Sequence, residues 1–159
     1  MKHVTLASIE AAIKKVDHLD DDGLEKLSET YSLAQPTLLG YVMSAPREYE
    51  NEQLEGYLIY YFCLLCECFG QEGLTVAEVT EEDIDAFEEP YFQLLDTYFE
   101  SENDDELEDF CDQPHLAQFM AMEISTEDED GSTLDDETAT QLFIVTIAII
   151  SLLGRKIQA

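Results

Sequence analysis

The chain has 159 residues, 45% of them hydrophobic, and 37 Asp and Glu against 7 Lys and Arg give it a formal net charge of −30. That apolar content argues against disorder, which pairs high charge with few apolar residues, and the length suits one domain, residues 1–159, with its own core. The charge argues against nucleic acid and anionic membrane as direct partners, since both need a basic surface.

Met1-Lys2-His3-Val4-Thr5 lacks the basic-then-apolar pattern of a secretory leader. Four cysteines without such a leader point to a reducing, cytoplasmic setting. Thr5 is placed to cap a first helix with Leu6, Ile9, Ile13 and Val16 on one side. Asp20-Asp21-Asp22-Gly23 reads as a turn, followed by a helix with Leu24, Leu27, Tyr31 and Ala34 at spacings of three and four. Pro36 suits a first helical position, and Leu38, Leu39, Val42 and Met43 line a short third helix that Pro46 is expected to stop.

Asn51 starts a long helix to about Phe69 in this reading. Its face holds Leu54, Leu58, Tyr61, Leu65 and Phe69, widened by Ile59, Phe62 and Leu64, with Gly70 and Gly73 as end signals. Leu74 to Val79 has some strand character but is too short for a sheet. Thr80 and Asp83 resemble a capping box, with Asp in place of Glu or Gln. Ile84 and Phe87 follow, Pro90 is expected to kink or restart the helix, and Tyr91, Phe92, Leu94, Leu95, Tyr98 and Phe99 form an aromatic segment. In the acidic stretch from Ser101 to Asp112 only Leu107, Phe110 and Cys111 read as buried. Pro114 restarts a helix with Leu116, Phe119, Met120 and Ile124, and Ser125 to Ser132 reads as a polar loop.

The uncharged, almost wholly aliphatic segment from Leu142 to Leu153 must be covered by protein or by lipid. Its β-branched residues favour a strand. Its length favours a helix, with Ser132 or Thr133 as cap, Asp135, Asp136 and Glu137 in the first turn, Arg155 and Lys156 at the negative end, and Gly154 as stop. Apolar side chains all around the axis mean a core helix or a membrane helix. As a tail anchor it is short: about 15 residues span roughly 23 Å, against roughly 30 Å of hydrocarbon. Thr140, Gln141, Thr146 and Ser151 also interrupt it. The prediction is an all-α bundle, orthogonal or up-down, of about seven to nine helices around a buried C-terminal helix.

Three constellations could carry chemistry. Cys63-x-x-Cys66-x-Cys68, with Cys111-x-x-x-His115, has metal-ligand residue types. On a helix, however, Cys63 and Cys68 point about 140° apart at about 100° per residue, which favours buried thiols packing as small hydrophobes. Asp128-x-Asp130-Gly131-x5-Glu137 resembles the back two-thirds of an EF-hand calcium loop, with Thr126 and Thr133 departing from the pattern. The resemblance implies Asp128, Asp130 and Glu137 as metal ligands. Asp20-x-Asp22-Gly23-x5-Glu29 is a second partial match, with His18 and Glu25 out of pattern. No phosphate-binding Gly loop, G-x-S-x-G or HExxH occurs, and His3, His18 and His115 have no nucleophile nearby in sequence, so no enzyme and no cofactor is expected.

The third constellation combines acids with aromatics: Glu81, Glu82, Asp83, Asp85, Glu88 and Glu89, then Tyr91, Phe92, Tyr98 and Phe99, then Asp104, Asp105, Glu106, Glu108 and Asp109. No Lys or Arg lies between Arg47 and Arg155. Such a belt would capture a basic protein surface quickly and in a salt-sensitive way, with Glu81, Glu82, Asp85, Glu88, Glu89, Asp104, Asp105, Glu108 and Asp109 as the contact residues. An immunity-type neutraliser or a mimic of nucleic-acid charge would both fit. The alternative is a calcium- or metal-binding protein using the acidic helix-loop-helix at 126–137, and a small enzyme is the third reading. Mutual repulsion is also expected to raise carboxylate pKa values in the folded state, so that mild acid or salt stabilises it.

Overall fold

A computed structural model of the protein describes residues 3–101, 105–111, 113–125 and 136–157. Among these residues there are eight helices: α1 Leu6–Asp17, α2 Asp21–Ala34, α3 Pro36–Glu48, α4 Leu54–Gln71, α5 Glu81–Ser101, α6 Asp105–Cys111, α7 Pro114–Ser125 and α8 Asp136–Arg155. The all-α bundle is therefore as the periodicity predicts. The strand character of 74–79 survives as one antiparallel bridge, Val76 to Ile157, supported by the Ala77 N–H donating to the Lys156 carbonyl at 2.9 Å.

The helix containing the uncharged segment is the centre. α8 packs against α4, α7, α6, α3 and α5, and α4 in turn carries α1, α2 and α3. Every residue from Gln141 to Gly154 is buried. By length and composition Glu137–Arg155 could cross a membrane, yet 83% of that window is covered by the other helices. Its hydroxyls are accommodated within the helix: Thr146 Oγ1 donates to the Phe143 carbonyl at 3.0 Å and Ser151 Oγ to Ile147 at 2.8 Å. Bonds of this kind let polar residues lie in an apolar core. Gly154 continues the helix and does not end it. The expected caps, Ser132 and Thr133, lie outside the described residues.

Several helix boundaries differ from the sequence reading, each for a local reason. α3 continues through Pro46 to Glu48. A proline there removes one hydrogen bond near the helix end, while Leu38, Val42 and Ala45 remain buried. α5 likewise runs through Pro90. Ala86, whose carbonyl loses its partner, is exposed and open to solvent. α4 begins at Leu54, three residues after Asn51, whose side-chain oxygen accepts the Gln53 N–H at 3.1 Å. The Asn51 amide donates to Thr138 Oγ1 at 2.8 Å and Gln141 Oε1 at 3.0 Å, tying the α3–α4 connection to α8.

Gly70 is within α4, and Gly73 ends it at φ +77°. The Leu74 N–H reaches the Phe69 carbonyl and the Gly73 N–H that of Gly70, a Schellman motif. Ile59 and Leu6, both assigned to apolar faces, are exposed. Thr80 and Asp83 form the reciprocal box, 2.9 Å from the Thr80 N–H to Asp83 Oδ2 and 3.2 Å from the Asp83 N–H to Thr80 Oγ1.

Buried polar side chains join the helices where hydrocarbon alone would not fix them. Glu67 on α4 accepts from Tyr31 on α2, from Gln71 Nε2 at 2.8 Å and from Lys15 Nζ on α1 at 2.9 Å. Burial raises its pKa, but the donors Tyr31, Lys15 and Gln71 and the Lys15 charge outweigh that, leaving it below its ordinary value. Nearer the surface, the part-exposed Glu72 accepts from Ser8 Oγ, the Thr5 N–H and Thr5 Oγ1, and these bonds lower its pKa too. Gln35 clamps the 74–80 connection by donating to Ala77 and accepting from Val79. Gln113 accepts the Val4 N–H at 2.9 Å.

Candidate functional site: an acidic and aromatic groove

α5 presents one continuous outer face. At about 100° per residue, Glu81, Asp85, Glu88, Asp96 and Phe99 all lie within about 40° of Phe92. Phe92 is 52% exposed and Phe99 58% exposed, two large rings left in water seven residues apart. That is about 10 Å along the axis. Their neighbours Tyr91 and Leu95 turn inward and are buried. Tyr91 stacks on Phe87, with centroids 4.7 Å apart, and its hydroxyl donates to the Ile144 carbonyl of α8. One side of α5 therefore anchors the helix, and the other alternates carboxylates with exposed aromatics.

Beside this face lies a cleft of about 80 Å³, floored by Ile144, Val145 and Ala148 of α8. One wall is α5, with Glu88, Tyr91, Phe92 and Leu95; the other is the end of α3, with Tyr41, Ala45, Glu48 and Tyr49. The cleft opens along α5 into a shallower depression bounded by Tyr49, Ile144, Phe99, Glu137, Thr140 and Gln141. Tyr49 and Ile144 belong to both, so the two form a single groove with acids at Glu48, Glu88 and Glu137. Tyr41 is held protonated, first by burial and then by the charges of Glu88 and Glu48. Tyr49 is raised by burial and by Glu48.

Cations are kept away from the groove. Arg155 sits over the rings of Phe87 and Phe110, 5.2 and 5.1 Å from their centroids. Lys156 pairs with Asp83 at 3.1 Å. Both are spent at the N-terminal end of α5. Arg47 borders a separate open hollow with Met43, Pro46, Glu50, Glu52 and Glu55. The groove thus combines carboxylates, phenols and hydrocarbon, groups that attract a cation and its aliphatic stem.

The predicted contact residues divide. Glu81, Glu82, Asp85 and Glu89 are exposed on α5 and Glu88 half-buried in the cleft wall. Glu82 and Glu89 flank the stripe. Asp83 belongs to the helix cap and the Lys156 pair, which lower its pKa through the Thr80 N–H bond and then through Lys156. Asp109 is exposed on α6; Asp105 and Glu108 belong to that helix, and Asp104 is outside the described residues. Glu48, Tyr41 and Tyr49 were not among the sequence candidates. The signal was Tyr41, Ala45 and Glu48 at i, i+4 and i+7, a series that the expected stop at Pro46 cut before Glu48.

Of the predicted calcium ligands, Asp128 and Asp130 lie outside the described residues. Glu137 is in the first turn of α8, where it accepts from Gln141 Nε2 at 3.3 Å and borders the groove. The second calcium-like match is not a loop: Asp20 caps α2 by accepting the Gly23 N–H at 2.8 Å, and Asp22, Gly23, Glu25 and Glu29 are helical. All four cysteines are buried, and none is in a disulfide. Burial pushes Cys63 up, Cys66 well up and Cys68 up to about 12. Among the described residues, no three His, Cys, Asp or Glu side chains form a group that could hold a metal ion. No protein-family model, curated protein or solved structure matches the chain significantly.

Proposed function

We propose that this protein is a non-enzymatic interaction module of the cytoplasm that captures a basic protein surface. It would act as an immunity-type neutraliser or as a mimic of nucleic-acid charge. The observation that carries the reading is the outer face of α5. Phe92 and Phe99 stand exposed in line with Glu81, Asp85, Glu88 and Asp96, on a chain without Lys or Arg from 48 to 154. Carboxylates steer a basic partner and set the salt dependence of its arrival. Exposed aromatics supply the apolar area that holds it.

The test is capture from source lysate on the immobilised protein at about 0.05 M and 0.5 M salt, where the screening length shortens severalfold. The captured protein is then purified and the complex rebuilt from two components. The expected result is a basic partner bound at low salt, released at high salt, and re-forming a defined complex. A protein that retains nothing at low salt overturns the reading.

A further inference from the structure

We infer that the groove between α5 and the end of α3 is the docking site for one amphipathic basic helix. Two apolar side chains of that helix cover Phe92 and Phe99, and one Lys or Arg enters the cleft between Glu48 and Glu88. This rests on the reading above and names the partner's chemistry. Charge complementarity selects the occupant. Glu48, Glu88 and Glu137 border the groove, and among the described residues no Lys, Arg or His lines either part of it. A second copy of this chain would set one acidic stripe on another, each copy carrying a net charge of −30.

The dimensions suit a helix. Phe92 and Phe99 are seven residues apart on α5, so side chains seven apart on a partner helix meet both. Glu81, Asp85 and Glu88, four and three residues apart on α5, face cations at the same spacing, and Asp96 adds one more carboxylate eight residues on. The cleft's volume of about 80 Å³ admits the end of one side chain. Tyr41, Tyr49 and Phe92 line the cleft with aromatic rings that attract a cation, and Ile144 and Ala148 supply apolar surface for its aliphatic stem.

The probe is a fluorescein-labelled 18-residue helix with Leu at i and i+7, Lys on the flanks and one central Arg, compared with a scrambled peptide of the same composition. Anisotropy titrations at about 0.1 M salt use the full chain and three variants: Phe92→Ser with Phe99→Ser, Glu48→Gln with Glu88→Gln, and Asp21→Asn with Asp22→Asn as a remote charge control. Circular dichroism confirms that each is folded, which exposed or isosteric changes permit. The expected result is about tenfold weaker binding for each groove variant and less than twofold for the control, the size of loss that central interface side chains show. Replacing the peptide's Arg with norleucine should weaken binding to the parent chain but hardly to the Glu48→Gln, Glu88→Gln variant.

If ordered and scrambled peptides bind alike, and all three variants weaken equally, the groove is not the site while capture of basic surfaces stands. If the parent chain binds neither these peptides nor polylysine, both readings are overturned. Self-association in sedimentation that disappears in the Phe92→Ser, Phe99→Ser variant would give the groove to a second copy and overturn the basic helix.

Discussion

Glu67 shows how a carboxylate can belong to the core of an acidic protein. Its side chain is 5% exposed, whereas Lys15, its ionic partner, is half exposed. The exposed side of that pair is screened by water, so attraction to Lys15 contributes little, and the hydrogen bonds from Tyr31 and Gln71 contribute more. Glu67→Gln should therefore cost about 1–2 kcal/mol in urea unfolding, since one donor is left facing another. Lys15→Met should cost less than about 1 kcal/mol. A larger loss for Lys15→Met would show that the charge pair, and not the hydrogen-bond set, holds α1 and α2 to α4. None of this was readable from sequence. Glu67 sits between Cys66 and Cys68 in an apolar run, and a carboxylate there announces only that some donor must reach it.

At the scale of elements, α8 is the feature on which folding depends. Ile147 is fully buried, so Ile147→Val should cost about 1 kcal/mol. Ile147→Asp should unfold the domain, because an unpaired charge in that position costs more than most domains can spare. Far-UV circular dichroism of the purified variant checks it; a fully helical, soluble Ile147→Asp protein would contradict the central placement of α8. Most helices were legible because their apolar residues recur at three and four, and α1 and α5 also carry Thr caps. Boundaries were less legible wherever packing overrode a local stop signal, as at Pro46, Pro90 and Gly154. The groove was half legible: the acids and aromatics of α5 were visible, but which rings point outward is decided by α8, and of the opposite wall Glu48 and Tyr49 lay beyond the misplaced stop.

For the whole molecule, charge sets the response to pH and salt, and its sign differs between groups. Glu67, Glu72 and Asp83 have folded pKa values below their ordinary 4.5, 4.5 and 3.8, against the general upward shift expected from repulsion. Their stabilisation is present above those ordinary values and disappears as pH falls through the lower folded ones. Glu123 is shifted upward, by burial first and then by Asp17, so protonating it favours the folded state. From pH 7 to about 5.5 the three clamps stay intact while repulsion eases. The melting temperature should hold or rise there, then fall below about pH 4. Adding 0.5 M NaCl at pH 7 should raise it, by about 2–4 °C for each kcal/mol of relieved repulsion. Calorimetric scans across pH and salt check both; a melting temperature that drops between pH 7 and 5.5 would mean the clamps titrate earlier than their donors imply.

α2 has no fully buried residue, and it covers Cys63 and Cys66, the first through Ser28 and the second beside Tyr31 and Ala34. The molecule therefore carries its own stopwatch. If α2 lifts away before the rest opens, an alkylating reagent will mark Cys63 and Cys66 early and Cys68 and Cys111 late, and mass spectrometry of timed samples reads the interval. Simultaneous labelling of all four would mean that α2 leaves only when everything does.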